Sequence, residues 1–178
     1  LDVESRRDSF CGKLSICNNL RQYNIPFTLT SEHTEAPDSV IFKEDIAAFA
    51  GVSRIVSGFK NLKAGAIGAR PNAFNTVRFS EKILENSGIS VEVIDLSEVI
   101  ARAEKLKDSD KKVVNKVKDI HNYINTSGIP DAPLVKMAKL WLVINEWIKE
   151  TGIKLFAFQC WSSIQENFGI MPCAVMSM

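Results

Sequence analysis

Lys63-Ala-Gly-Ala-Ile-Gly-Ala69, followed after a polar stretch by Ser90-Val-Glu-Val-Ile-Asp95, decides the fold. The first segment is a short apolar run of small residues, the form of a strand that neighbours approach closely. The second alternates polar and apolar residues, which predicts a half-buried strand. Between them Arg70-Pro71 reads as a loop. Asn72 to Asn86 reads as a helix with Phe74, Val77, Ile83 and Leu84 on its inner side, stopped by Ser87-Gly88. A strand–helix–strand unit of roughly 30 residues implies parallel strands joined by a right-handed crossover.

The pattern continues on both sides. Leu96 to Leu106 and Asp108 to Asn125 read as two helices or one broken helix. Asp131 opens another, with Pro133 in its first turn. It runs to about Thr151, carries Leu134, Met137, Ala138, Trp141, Ile144 and Ile148 along one stripe, and stops at Gly152. Trp147 lies off that stripe and is expected to face another domain or subunit. Ile153 to Phe158 is an apolar run suited to a strand buried on both faces. Upstream, Arg6 to Tyr23 reads as a helix ended by Asn24-Ile-Pro26, Phe27 to Thr30 as a short strand, and Ser31 to Asp38 as a loop. Asp38 or Ser39 caps a helix reaching Phe59, with a break expected at Gly51. This alternation predicts an α/β chain: a three-layer αβα open sheet, mostly parallel and Rossmann-like.

Composition narrows the classes. An apolar fraction of 46% in 178 residues suits a globular core. The net charge of +1 favours no polyanion, and the lysines from Lys105 to Lys118 are interleaved with Asp108 and Asp110, as on a solvated helix face. Neither a nucleic-acid partner nor a membrane partner is expected, since no apolar stretch of about 18 residues occurs. The four cysteines form no C-x-x-C pair and read as reduced, mostly buried residues of a cytoplasmic protein. The two histidines, His33 in a polar loop and His121 in a charged helix, carry no expected role.

In parallel sheets ligands bind beyond the carboxyl ends of the strands. Two segments fall there: Gly68-Ala-Arg-Pro-Asn72 and Gln159-Cys-Trp-Ser-Ser-Ile-Gln-Glu-Asn-Phe-Gly169. Gly65 and Gly68 with Asp95 resemble part of a dinucleotide site, but a third glycine is missing and Arg70-Pro71 interrupts the turn. The second segment offers an aromatic face with amide and carboxylate groups, a chemistry suited to sugars. By chemistry alone Glu166 is either a loop acid or a hard-cation ligand, and a cation needs further ligands.

Gly68 to Lys82, Gln159 to Cys173 and Ser5 to Gly12 together resemble the L-fucose/L-arabinose isomerase-like family, most closely its fucose isomerase-like branch. The resemblance implies two Rossmann-like domains followed by a β-rich C-terminal domain. Residues 1–62 would be a helix–strand–helix segment linking from a preceding domain, and 63–178 a Rossmann-like domain truncated before the C-terminal one. It implies a Mn²⁺ site built from a Glu, a downstream carboxylate and a late His. Glu166 matches the first of these as metal ligand and catalytic base, and the chain stops at Met178 ahead of the others. The implied reaction is an aldose–ketose interconversion of a small-molecule sugar in a full-length homo-oligomer. Gln159, Trp161 and Arg70 are candidate sugar contacts. The isolated fragment is expected to be inactive and to hold no metal tightly. The alternatives are a sugar- or nucleotide-binding Rossmann-type module, or a non-catalytic subunit-contact domain.

Overall fold

The structure, a computed structural model, describes residues 9–178. The chain divides into two units, one ending at Gly58 and one spanning Phe59–Met178.

The first unit contains helices α1 (Ser9–Gln22) and α2 (Val40–Phe59). The start of the helix expected from Arg6 lies outside the described residues. α1 ends where predicted: Asn24 takes φ 56° and the Ile25 N–H returns to the Leu20 carbonyl at 2.8 Å, a left-handed C-terminal turn. The expected strand at Phe27 to Thr30 does not form. Polar latches organise this connection instead. Lys13 Nζ donates to Thr30 Oγ1 at 2.7 Å and to the Glu32 and His33 carbonyls at 3.1 Å. Asp45 accepts from the Ser31 amide at 2.8 Å and hydroxyl at 2.6 Å. Ser39 caps α2 through the Phe42 N–H at 3.1 Å, and α2 passes Gly51 without the expected break. None of its residues is buried.

The second unit is a three-stranded, all-parallel sheet of order β2-β1-β3, formed by β1 (Leu62–Ile67), β2 (Ile89–Ile94) and β3 (Leu155–Phe158). Its helices are α3 (Glu81–Asn86), α4 (Leu96–Glu104), α5 (Lys111–Tyr123), α6 (Asp131–Thr151), α7 (Ser163–Asn167) and α8 (Cys173–Ser177). The two crossovers run in opposite directions across the sheet. With both right-handed, α3 lies on one face and α4 to α6 on the other, which makes the three α/β layers. The fold is the expected Rossmann-like α/β class.

The core lies between the sheet and α4–α6. Ile67 and Ile94 meet Leu96, Val99 and Ala103 of α4 and Leu140, Val143, Ile144 and Trp147 of α6. A second cluster, Val113, Ile120, Leu134 and Ala138, joins α5 to α6. Burying each such large side chain contributes roughly 1.5–3 kcal/mol. The exposed Arg102–Glu98 and Arg102–Glu150 pairs, at 2.7 and 3.2 Å, contribute about 0–1 kcal/mol each. Packing, rather than ion pairs, therefore holds α4 on α6.

Three sequence expectations need correction. Asn72 to Asn86 is not one helix: a short 3₁₀ turn at Asn75–Val77 is followed by extended chain and then α3. Val77 and Ile83 are exposed instead of facing inward. Trp147, expected to face outward, is buried at 5% exposure, whereas Trp141 is only half-buried, with Lys116 Nζ 3.6 Å above its ring. α6 packs on the sheet through its C-terminal half and on α5 through its N-terminal half, so its buried arc turns and no single stripe describes it. β3 is shorter than expected and alternates, with Leu155 52% exposed, because the short α3 covers little of its face. The four cysteines are free, as expected, but not mostly buried: Cys11 and Cys173 are exposed, and Cys17 and Cys160 half-buried.

Candidate functional site

The in-register strands end together at Ile67, Ile94 and Phe158. Main-chain bonds carry that order one residue further: the Gly68 N–H donates to the Ile94 carbonyl and the Gln159 N–H to the Ile67 carbonyl, both at 2.9 Å. Parallel alignment thus places Gly68, Asp95 and Gln159 side by side at the carboxyl edge.

Asp95 is occupied as the N-cap of α4. Its Oδ1 accepts from the Ser97 amide at 2.7 Å and hydroxyl at 2.5 Å. The Ser97 hydroxyl, and then its amide, hold the carboxyl below the usual carboxylate range. The acid that stood where a ribose-binding group would be is a helix cap, and the nucleotide reading loses its main polar candidate.

Gln159 joins the two loops. Its Oε1 accepts the Ala69 N–H at 2.8 Å, and its Nε2 donates to the Trp161 carbonyl at 3.2 Å. Gly68 makes room for this: it takes φ 77°, and a side chain there would collide with Gln159 Oε1. Arg70 turns back on its own loop, one guanidinium nitrogen donating to the carbonyls of Pro71, Asn72 and Phe74 at 3.0, 3.2 and 3.2 Å. That wrapping occupies carbonyls that the first turn of the helix expected from Asn72 would use. It brings the Phe74 ring to 5.3 Å from the Trp161 ring, tilted by 53°. Trp161 is 55% exposed, and its peptide bond to Ser162 is cis.

Glu166 projects from α7. Ile164 and Phe168 on the opposite side of this short helix are buried in the main core, the i, i+4 spacing of an anchored face. Lys136 Nζ bonds the Phe168 carbonyl at 2.9 Å, Gln165 Nε2 bonds the Cys160 carbonyl at 2.9 Å, and Asn167 bonds the Ser163 carbonyl at 2.9 Å. Glu166 itself is exposed, and no hydrogen bond or ion pair among the described residues engages its carboxylate. A five-residue helix is thereby rigidly placed while its acid stays free.

The structure therefore joins Gln159, Trp161 and the Arg70 loop, with Glu166 following on the same segment. Within the second unit no imidazole joins that constellation, since His121 bonds Thr126 Oγ1 at 2.5 Å; in the first unit His33 packs edge-on against Phe10 at 5.6 Å. Among the described residues no group of three or more His, Cys, Asp or Glu could hold a metal ion. A hard cation such as Mn²⁺ needs several oxygen or nitrogen ligands, and the described residues do not bring such a set together. Sequence reasoning missed Phe74 as the ring partner of Trp161.

No helix among the described residues is long and apolar enough to cross a membrane. Residues 1–60 match the family model described as fucose/sulfoquinovose isomerase, N-terminal domain. No curated protein matches the chain. The matched segment ends before β1, so it does not reach the loops at the carboxyl edge.

Proposed function

We propose, from the match of residues 1–60 to the fucose/sulfoquinovose isomerase N-terminal domain, that the chain is part of a metal-dependent aldose–ketose isomerase in which Glu166 is the catalytic base. The single observation that carries the role is the free, exposed Glu166 carboxylate on a helix whose other face is locked into the core. Catalytic groups work best on rigid supports, and here every neighbour serves to fix α7 while none consumes its acid.

The chemistry asked of this residue is limited. In an open-chain aldose the C–H next to the carbonyl is acidic enough for a carboxylate to remove the proton. Loss of the C2 proton leaves an enediolate with its charge on the C1 oxygen; return of that proton to C1, with transfer of the C2 hydroxyl proton to the C1 oxygen, gives the ketose. Two protons therefore move: the carboxylate carries the one between carbons, and the one between oxygens passes from the C2 to the C1 oxygen, so atoms and charge balance. Glu166 is also the one ligand this chain would supply to a Mn²⁺ ion, and the remaining ligands would come from outside the described residues.

We therefore infer that the 178-residue chain alone neither isomerises sugars nor binds Mn²⁺ tightly, and that the intact protein is a cytoplasmic homo-oligomer. Calorimetric titration of the chain with Mn²⁺ is expected to show weak, unsaturating heats. A tight one-to-one isotherm would overturn the incomplete-site reading.

A further inference from the structure

Resting on the sugar-site reading above, we propose that the ring faces of Phe74 and Trp161 form a sugar-stacking platform, and that Gln159 and Arg70 are positioning residues that hold this platform. Arg70 donates to the carbonyl of Phe74, one platform residue, and to those of Pro71 and Asn72 just before it. Gln159 donates to the carbonyl of Trp161, the other platform residue, and accepts from Ala69 at the root of the Arg70 loop. Both polar groups thus end on the backbone that carries the two rings. The two bonds fix the plane of the Gln159 amide, which thereby ties the Trp161 backbone to the root of the Arg70 loop.

The Trp161 ring is poorly covered, whereas Phe74 is half-buried. Trp161 is 55% exposed although its loop is tied at both the Gln159 and the Gln165 side chains. An ordered loop that presents an uncovered indole at the carboxyl edge of a parallel sheet stands where ligands of this architecture bind. The C–H face of a pyranose or an open-chain polyol carries slight positive charge and matches the negative face of an aromatic ring. Two rings from separate loops, tilted by 53°, make a shallow angled shelf, which suits a non-planar ring better than a flat nucleobase.

The test is an amide chemical-shift titration of the 178-residue chain with L-fucose, using wild type, Trp161→Ala, Gln159→Leu and the double variant. Each single substitution is expected to weaken binding about fivefold, the share of one aromatic face. The double variant is expected to bind no more weakly than the worse single one, because Gln159 acts through the Trp161 ring that Trp161→Ala removes. If Gln159→Leu does not fold, Gln159→Glu takes its place: it keeps the acceptor for the Ala69 N–H and loses the donor to Trp161, and the same non-additivity is expected. Absence of L-fucose-induced shifts around Ala69, Phe74 and Trp161 in the wild type would overturn the platform. So would singles that bind as wild type, or losses that multiply in the double variant, which would make Gln159 a direct contact. These readouts concern binding alone, so their failure is distinct from failure of the isomerase reading, which is measured by turnover.

Discussion

At the residue scale, the carboxyl edge depends on small side chains and on carboxylates with assigned partners. Gly65 is the clearest case: a Cβ there would lie 2.6 Å from Ile153 Cδ1 and 2.8 Å from Trp147 Cη2. Trp147 seats its indole where β1 has no side chain, so Gly65→Ala forces either the indole or the strand to move. We expect a loss of about 1–3 kcal/mol, the usual range for overpacking, read as a lower urea midpoint with unchanged slope. Asp95 gives a pH prediction. Its folded pKa is depressed by Ser97, so its contribution is fully present above the unfolded carboxylate pKa. It is lost as pH falls through the lower, folded value. Ser97→Ala is expected to raise the Asp95 pKa toward its ordinary value in a carbon-detected NMR titration and to remove that acid-side dependence. An unchanged Asp95 titration would show that the cap is not its cause.

At the element scale, the two short helices after β3 separate what sequence could show from what it could not. α6 was legible from end to end, because Pro133 near its start and Gly152 at its stop are local signals that tertiary packing did not override. β1 and β2 were legible for the same reason: their composition and alternation are strand signals. The stretch from Asn72 to Asn86 misled, because a side chain from outside the helical pattern, Arg70, takes the carbonyls that a first turn would use. The roles of Trp141 and Trp147 were exchanged, since which arc of α6 is buried depends on α5 and the sheet together. In the site, Gln159, Trp161 and Glu166 were found as residues, but the pairing of Trp161 with Phe74 joins loops far apart in the chain and leaves no local trace. α7 supports its own prediction. Ile164 is fully buried, and Ile164→Ala removes the anchor beneath Glu166. A cost of about 2–5 kcal/mol is expected, with faster amide exchange at Glu166 than in α6. Protection of α7 equal to that of wild type would contradict the anchoring role.

At the scale of the whole molecule, every residue of both core clusters lies in the unit from Phe59 to Met178. A chain limited to residues 59–178 is therefore expected to unfold cooperatively with the near-ultraviolet signature of packed tryptophans. A non-cooperative transition would show that the first unit is required for that core. The first unit has no such cluster among the described residues, and α2 leaves Val52 and Ile55 each 60% exposed. The family match falls on this first unit, whereas the candidate site falls on the second, so the two halves of the functional argument rest on different parts of the chain. They meet in one measurement: turnover of a panel of aldoses, including L-fucose, by the intact protein that carries this chain, with and without Mn²⁺, for wild type and Glu166→Gln. The account predicts Mn²⁺-dependent ketose formation by the wild type and a loss of at least about a hundredfold in Glu166→Gln, as for removal of a general base. Ketose formation by Glu166→Gln at the wild-type rate would contradict it.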